Sequence, residues 1–364
     1  MRVLLVEPYH GGSHRAWAEG YRRHSAHDVT LVTLEARFWK WRMQGGHVTL
    51  AARIADAVEA GGRFDVVLAS SMTNLPALLG AARRHLGGAP AVLYMHENQL
   101  TYPWSPRDRV DHTYAMINWT SMVVADAVVF NSEFHRRVWF DAVPELLRSL
   151  PDHRHDRLVG AVAARSSVLP VGVDLRRLDG PSRRGPRPLV LWNQRGEHDK
   201  GPDEFAAAVS AALDRGGDFE VALAGERFVS EPVAFDQLRA ALGDRIVHDG
   251  YADEAAYVDL LRRADVVVST AQQEFFGVAV TEAVYAGAFP LLPDRLVYPE
   301  RIPAAFHERC LHHGGDDLVD RLVDAVIRRS EAATLARALR PVMAACDWSL
   351  VAPRYDALLA ATAG

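Results

Sequence analysis

Short runs of β-branched and other apolar residues recur along the whole chain. Each is followed by a stretch in which apolar residues return every three or four positions. A strand buried on both faces reads as a continuous apolar run, and a parallel crossover needs a helix, so this alternation predicts helix-covered parallel sheets. In the first half, strands are predicted over 2–6, 29–34, 64–69, 91–95, 127–130 and 168–171. Helices are predicted over 13–23, 49–60, 75–85, 109–125 and 133–141. The stretch 146–165, rich in Pro, Asp, His and Arg, reads as an irregular excursion. Residues 181–188 are polar and crowded with Pro and Arg, and read as a linker. Beyond it, strands are predicted over 189–192, 219–224, 245–247, 266–269 and 289–292. The matching helices cover 203–215, 233–242, 253–263, 278–286, 316–329, 332–346 and 350–361. The expected fold is α/β, with two Rossmann-like doubly wound domains, 1–180 and 189–346, facing a central cleft. A terminal helix within 347–364 can return to the first domain. Ligands are expected at the carboxyl ends of the strands.

Composition agrees with two domains: 364 residues exceed what one core usually serves, and 49% apolar with 24% charged residues is ordinary globular usage. Cys310 and Cys346 have neither metal-ligand spacing nor a disulfide framework. The first apolar run is broken at Glu7 and Pro8, and no apolar stretch approaches membrane-spanning length, so a cytoplasmic protein with no membrane partner is expected. Charge changes the picture more. The net charge is −5, yet residues 1–184 carry 23 basic against 18 acidic groups and residues 185–364 carry 18 against 28. A polyanion would be drawn to the first half. Of 41 basic residues only Lys40 and Lys200 are lysines.

Three segments can carry chemistry. After the first strand, Gly11 and Gly12 leave the backbone bare, and Ser13 can cap the next helix, offering amides to an anion or a sugar. The spacing is not Gly-x-Gly-x-x-Gly, which disfavours a dinucleotide cofactor. After strand 189–192, Arg195 and Lys200 stand on a loop ahead of a helix, where a guanidinium and an ammonium can share a diphosphate. After strand 266–269, Glu274 and Glu282 lie eight positions apart around Phe275, Phe276, Gly277 and Val278. Gly277 would let phosphate approach the amides of Phe276, Gly277 and Val278. Glu274 suits sugar hydroxyls and Glu282 the paired hydroxyls of a ribose. Each segment also admits a plain reading: a glycine turn, a solvated charged loop, and buried phenylalanines with Glu282 capping a neighbour.

These elements in this order resemble a retaining, nucleotide-sugar-dependent glycosyltransferase of GT-B fold, in the pattern of glycosyltransferase family four. Leu169-Pro170-Val171-Gly172-Val173-Asp174 resembles the strand before that family's linker, and Gly250-Tyr251 its nucleobase loop. A narrower resemblance rests on Glu7-Pro8-Tyr9-His10-Gly11-Gly12-Ser13-His14, Tyr94-Met95-His96-Glu97-Asn98-Gln99-Leu100 and Leu191-Trp192-Asn193-Gln194-Arg195-Gly196-Glu197-His198-Asp199-Lys200. Phe38-Trp39-Lys40-Trp41-Arg42, Phe130-Asn131-Ser132-Glu133-Phe134 and Pro151-Asp152-His153-Arg154 add to it. That set is similar to the tRNA-queuosine α-mannosyltransferase family and spans most of the chain through about residue 300. The resemblance implies GDP-mannose as donor and the cyclopentene-diol of queuosine at the tRNA wobble position as acceptor. It implies front-face transfer beside the leaving diphosphate. Two cations on the diphosphate and no Asp-x-Asp motif at a suitable strand end lead to the expectation of no metal or cofactor, and no protein partner is expected.

The same resemblance sets His96 against the donor sugar, with Glu274, Arg195 and Lys200 as the other catalytic groups. Gly11, Gly12, Tyr251, Phe275, Phe276, Gly277, Val278 and Glu282 are the expected donor residues. His14, Arg15, Trp39, Lys40, Trp41, Arg42, Glu97, Asn98, Asp152, His153 and Arg154 are expected to meet the tRNA, since arginine planes and indoles hold phosphates and stack splayed bases. Gly196 and Gly201 depart from the family pattern and are expected to loosen the Arg195–Lys200 loop. Trp39 and Trp41 alternate as on a half-buried edge. The competing readings are a family-four-like enzyme with a lipid or small-molecule acceptor, a tRNA-binding protein that has lost transfer, and a nucleotide-sugar epimerase.

Overall fold

A computed structural model describes residues 1–103, 111–225 and 233–364, the side chains of 233 and 234 excepted. The chain divides into two compact units, Met1–Val173 with Trp348–Gly364, and Asp174–Asp347.

The first unit runs β1 (Arg2–His10), α1 (Gly12–His24), β2 (Asp28–Glu35), α2 (Trp39–Glu59), β3 (Val66–Ser70), α3 (Leu75–Leu86) and β4 (Ala91–Met95). It continues through α4 (Thr113–Val124), β5 (Ala127–Phe130), α5 (Glu133–Arg148), α6 (Asp156–Ala164) and β6 (Ser166–Val168). Its strands form one parallel sheet in the order β2-β1-β3-β4-β5-β6. The centre of β1 is fully buried from Val3 to Val6, which is why the run carries no polar alternation.

The second unit runs β7 (Leu189–Trp192), α7 (Pro202–Asp214), β8 (Glu220–Leu223), α8 (Val233–Leu242), β9 (Ile246–Asp249), α9 (Glu254–Arg263), β10 (Val266–Val268) and α10 (Val278–Ala286). It closes with β11 (Phe289–Pro293), α11 (Tyr298–Arg301), α12 (His307–Cys310), β12 (Leu311–His312), α13 (Gly315–Ile327) and α14 (Arg329–Ala344). This sheet is also parallel, in the order β12-β11-β10-β7-β8-β9.

The last helix, α15 (Trp348–Ala363), belongs to the first unit. Its leading indole, Trp348, is buried in a slot that two glycines create: a Cβ on Gly20 would come 2.1 Å from the ring and one on Gly172 2.3 Å. Trp348 N–H donates to the Val173 carbonyl at 3.1 Å, and Tyr21 donates to Asp356 at 2.7 Å.

Four expectations are corrected. Residues 146–165 are mostly helical, because α5 runs to Arg148 and α6 starts at Asp156. Helix α2 starts at Trp39, ten residues before the predicted start at 49; Gly45 and Gly46 mask its periodicity, and Gly46 is buried facing Leu34 and Pro8. The expected linker lies on the second unit: Arg184 pairs with Asp265 at 3.1 Å, and Arg329 donates to the Gly185 carbonyl at 2.9 Å. Strand β12 lies in a stretch with no predicted element. The predicted helix start at 109 lies outside the described residues.

Candidate active site

In the second unit, the loops that leave β7 and β10 form one structure. Thr270 donates to the carbonyls of Lys200 and Gly201 at 2.9 and 2.8 Å, and Gln272 N–H donates to the Asp199 carbonyl at 2.7 Å. Gly201 has φ +64°, and a Cβ there would sit 2.3 Å from the Thr270 carbonyl oxygen. This glycine therefore tightens the loop it was expected to loosen.

The stitching brings the Lys200 ammonium to 2.9 Å from the Gln273 carbonyl, 3.2 Å from Asp199 and 3.5 Å from Glu274. Burial alone would lower the Lys200 pKa. The carboxylates of Glu274 and Asp199 more than offset it, and the pKa ends above the ordinary lysine value. Glu274 answers in the opposite sense. Burial raises its pKa, while Lys200 and the amides of Phe276 and Gly277 bring it below the usual carboxylate range. Both groups stay charged through neutral pH.

Gly277 precedes α10 at φ +82°, a conformation that favours glycine. The Glu274 carboxylate accepts from the amides of Phe275, Phe276 and Gly277 at 3.2, 3.2 and 3.0 Å. The expectation that the Phe276 and Gly277 amides stand open to a phosphate is corrected accordingly: in this state Glu274 holds them. Phe275 and Phe276 are buried, with the Arg301 guanidinium 4.4 Å from the Phe276 ring, so their side chains belong to the core.

Glu282 is buried in the second turn of α10. Arg177 donates to one of its oxygens at 2.5 Å and Tyr257 to the other at 2.9 Å, and Asn193 donates to Tyr257 at 3.1 Å. Burial raises the Glu282 pKa despite those partners. Arg195 is half-exposed and pairs with Glu197 at 2.9 Å, yet it is near enough to Lys200 to act on its charge. Tyr251 is exposed beyond β9.

In the first unit, β1 places Glu7 in the core. One Glu7 oxygen accepts from Tyr9 N–H at 2.8 Å, and the other lies 2.9 Å from His14 Nδ1. Gly11 is required because a Cβ would meet that of Ala36 at 2.4 Å, and Gly12 opens α1 at φ +50°. The His14 and His96 rings are 4.4 Å apart, with Trp17 and Tyr94 edge-on to His96. His96 Nε2 is buried without a hydrogen-bond partner, and burial with the facing His14 and His135 holds its pKa well below 6.5. Among the described residues, Glu7, His14 and His96 are the group whose side chains can share a metal, with donor atoms within 4.8 Å of one another.

The other expected acceptor residues are spread along the first unit. Asn98 Oδ1 accepts from the amides of Leu100 and Thr101, so its carbonyl makes a turn, while Glu97 accepts from Gln99. Arg15 is exposed beside Glu19. Trp39 packs on Tyr114 at 4.9 Å, Trp41 is exposed, and Arg42 donates to the Glu35 carbonyl at 3.1 Å. Asp152, His153 and Arg154 stand on an exposed loop, with His153 at φ +42°.

Sequence reasoning left out Glu7, Asp199, Arg177 and Tyr257. The first two were visible as carboxylates inside the quoted motifs. Nothing in the sequence joins Arg177 and Tyr257 to Glu282, since the three lie on the segment before β7, on α9 and on α10 and meet only in the folded unit.

Two doubly wound units, the second with a part-buried lysine–glutamate pair at a helix start, place the chain among the GT-B glycosyltransferases. Residues 2–173 match the family model described as tRNA-queuosine alpha-mannosyltransferase N-terminal, and residues 179–336 match glycosyl transferases group 1. A tRNA-queuosine alpha-mannosyltransferase of Drosophila melanogaster is 32% identical, covering 83% of this chain and 81% of its own. The chain belongs to the tRNA-queuosine α-mannosyltransferase family and is a glycosyltransferase. A GDP-mannose:cellobiosyl-diphosphopolyprenol alpha-mannosyltransferase of Xanthomonas campestris is 24% identical, covering 80% of this chain and 78% of its own. The fold is similar to sucrose-phosphate synthase of Thermosynechococcus elongatus, at TM-score 0.73 and 16% identity, with 99% and 100% of the two chains covered. A Rickettsia africae glycosyltransferase gives 0.71 at 13% identity, covering 99% and 98%. Among the described residues no helix is long and apolar enough to cross a membrane.

Proposed function

We propose that the protein transfers mannose from GDP-mannose to the cyclopentene-diol of queuosine in tRNA, with retention at the anomeric carbon. The observation that supports this most is the likeness to the Drosophila enzyme over four-fifths of both chains. The bond from the anomeric carbon to the diphosphate breaks, and a bond to an acceptor hydroxyl oxygen forms on the same face. The hydroxyl proton goes to the departing diphosphate oxygen. Lys200 and Arg195 neutralise charge growing on that diphosphate, and the α10 start adds its dipole once Glu274 turns from the amides to the sugar hydroxyls. Glu282 keeps a free lone pair on each oxygen for the ribose hydroxyls. His96 and the Gly11–Gly12 turn meet the sugar, Tyr251 the base, and His14 with the basic and aromatic segments of the first unit the tRNA. Two cations suffice for the diphosphate, so the reaction needs no metal.

A lipid-linked acceptor is the second reading, favoured by the Xanthomonas relative. The test supplies GDP-mannose labelled in the sugar with three acceptors: queuosine-containing tRNA-Asp, the same tRNA without queuosine, and a diphosphopolyprenol-linked sugar. Label on the first alone is expected. Label on the polyprenol compound and none on tRNA would overturn the reading.

A further inference from the structure

The start of α2 carries two large exposed aromatic side chains in a chain that otherwise buries most of its rings: Phe38 is 77% exposed and Trp41 59%. Neither is loosely placed. Phe38 sits in the left-handed region at φ +50°, which costs a side-chain-bearing residue about 1 kcal/mol. The turn is held from both sides, since Arg42 N–H donates to the Phe38 carbonyl at 3.0 Å and the Arg42 guanidinium donates to that of Glu35.

One turn along the helix, Gly45 lies directly under the Trp41 ring. A Cβ there would come 2.8 Å from the far edge of the indole, so the exposed ring would have to move off the helix. The missing side chain lets the ring lie down on the helix backbone, with its other side open to solvent. Glycine inside a helix costs about 1 kcal/mol relative to alanine, so this ring position is maintained against helix propensity. Trp39 behaves differently: it is half-buried on Tyr114, with the Lys40 ammonium 5.6 Å from its ring, and serves as the anchor.

Charge decides what the open face fits. Arg37 and Lys40 flank the rings and are exposed, Arg37 paired with the exposed Glu35 at 3.3 Å and Lys40 left as the nearer cation. The first unit as the structure divides it has 20 basic against 17 acidic residues, whereas the second has 21 against 29. A flat, preset aromatic surface among cations suits an unpaired nucleobase, whose phosphates the cations hold while its plane stacks. Resting on the tRNA reading above, we infer that Trp41, laid flat by Gly45 and assisted by Phe38, is a stacking platform for an unpaired base of the RNA acceptor. Gly45 is a positioning residue that never touches the RNA.

The experiment measures binding of the full chain to a tRNA-Asp transcript lacking queuosine, across a salt series, beside vesicles of phosphatidylglycerol and phosphatidylcholine. Trp41→Ala should weaken tRNA binding about tenfold without changing the salt slope, because a stack is lost and no phosphate contact. Trp41→Phe should fall between it and the parent. Gly45→Ala should weaken binding several-fold while raising Tm, a combination that simple damage to the helix would not give. Trp41→Ala binding within twofold of the parent, in a protein that binds and mannosylates tRNA, overturns this inference alone. A parent protein that binds no tRNA overturns it together with the proposed function. A Trp41 requirement for vesicles in place of tRNA also overturns it, and assigns the ridge to a membrane surface.

Discussion

The Lys200 ammonium and the Glu274 carboxylate lie 3.5 Å apart, joined across two loops that leave different strands of the second sheet. The cation expected to meet the donor diphosphate and the carboxylate expected to meet its sugar thus hold each other in place.

Lys200→Ala removes both functions at once. Transfer should fall by a factor of about 10² or more, as for loss of a preset electrostatic group at a transition state. Glu274 would remain largely shielded from water without its cation, so stability should also drop, by about 1–2 kcal/mol. Steady-state rates and chemical denaturation check the two effects separately. Unchanged GDP-mannose affinity in the folded variant would contradict the diphosphate assignment.

Gly201→Ala should destabilise the protein by about 1–3 kcal/mol, because the new methyl meets the Thr270 carbonyl in a backbone conformation that alanine rarely adopts. A lower Tm is the expected readout. An unchanged Tm would mean that the loop is as loose as its glycines suggest.

The pH dependence follows from the signs. Glu274 is depressed, so its contribution to stability is present above the ordinary carboxylate value and is lost as pH falls through its lower folded value. Lys200 is raised, so its contribution is present below the ordinary lysine value and is lost as pH rises through the folded one. Between those limits the pair adds no slope. Burial pushes His135 down to about 3 and His96 well below 6.5, so unfolding takes up protons from about pH 6.5 downward. Each histidine then removes about 1.4 kcal/mol per pH unit. Thermal unfolding at pH 7.5, 6 and 5 should show Tm falling with pH, and His135→Gln should flatten the fall. Equal slopes in parent and variant would contradict the assignment.

Exhaustive chelation followed by dialysis should leave transfer within about twofold, since the account needs only Lys200, Arg195 and the α10 dipole for the diphosphate. Loss of activity that zinc restores would instead make Glu7, His14 and His96 a working metal site.

The sequence made the framework of this site legible because its signals are local. Gly277 before an apolar helix, and Arg195 and Lys200 after a buried strand, are strand-to-helix junctions that can be read in one window. What escaped depends on contacts between distant segments. The Lys200–Glu274 pair exists only once β7 lies beside β10, and the hold of Arg177 and Tyr257 on Glu282 joins the segment before β7, α9 and α10. Helix α2 was hidden for another reason: Gly45 and Gly46 lower helix propensity where packing against Leu34 and the Trp41 ring demands no side chain. The segment 181–188 has a linker's composition, yet Arg184 finds Asp265 and ties it down.

The most direct test of the central claim locates the sugar. Queuosine-containing tRNA-Asp is incubated with GDP-mannose and either the parent protein or Lys200→Ala, then digested to nucleosides and weighed by mass spectrometry. The account predicts one hexose added to the queuosine nucleoside by the parent, greatly reduced with the variant. An unmodified queuosine nucleoside after incubation with folded, donor-binding parent protein would contradict it.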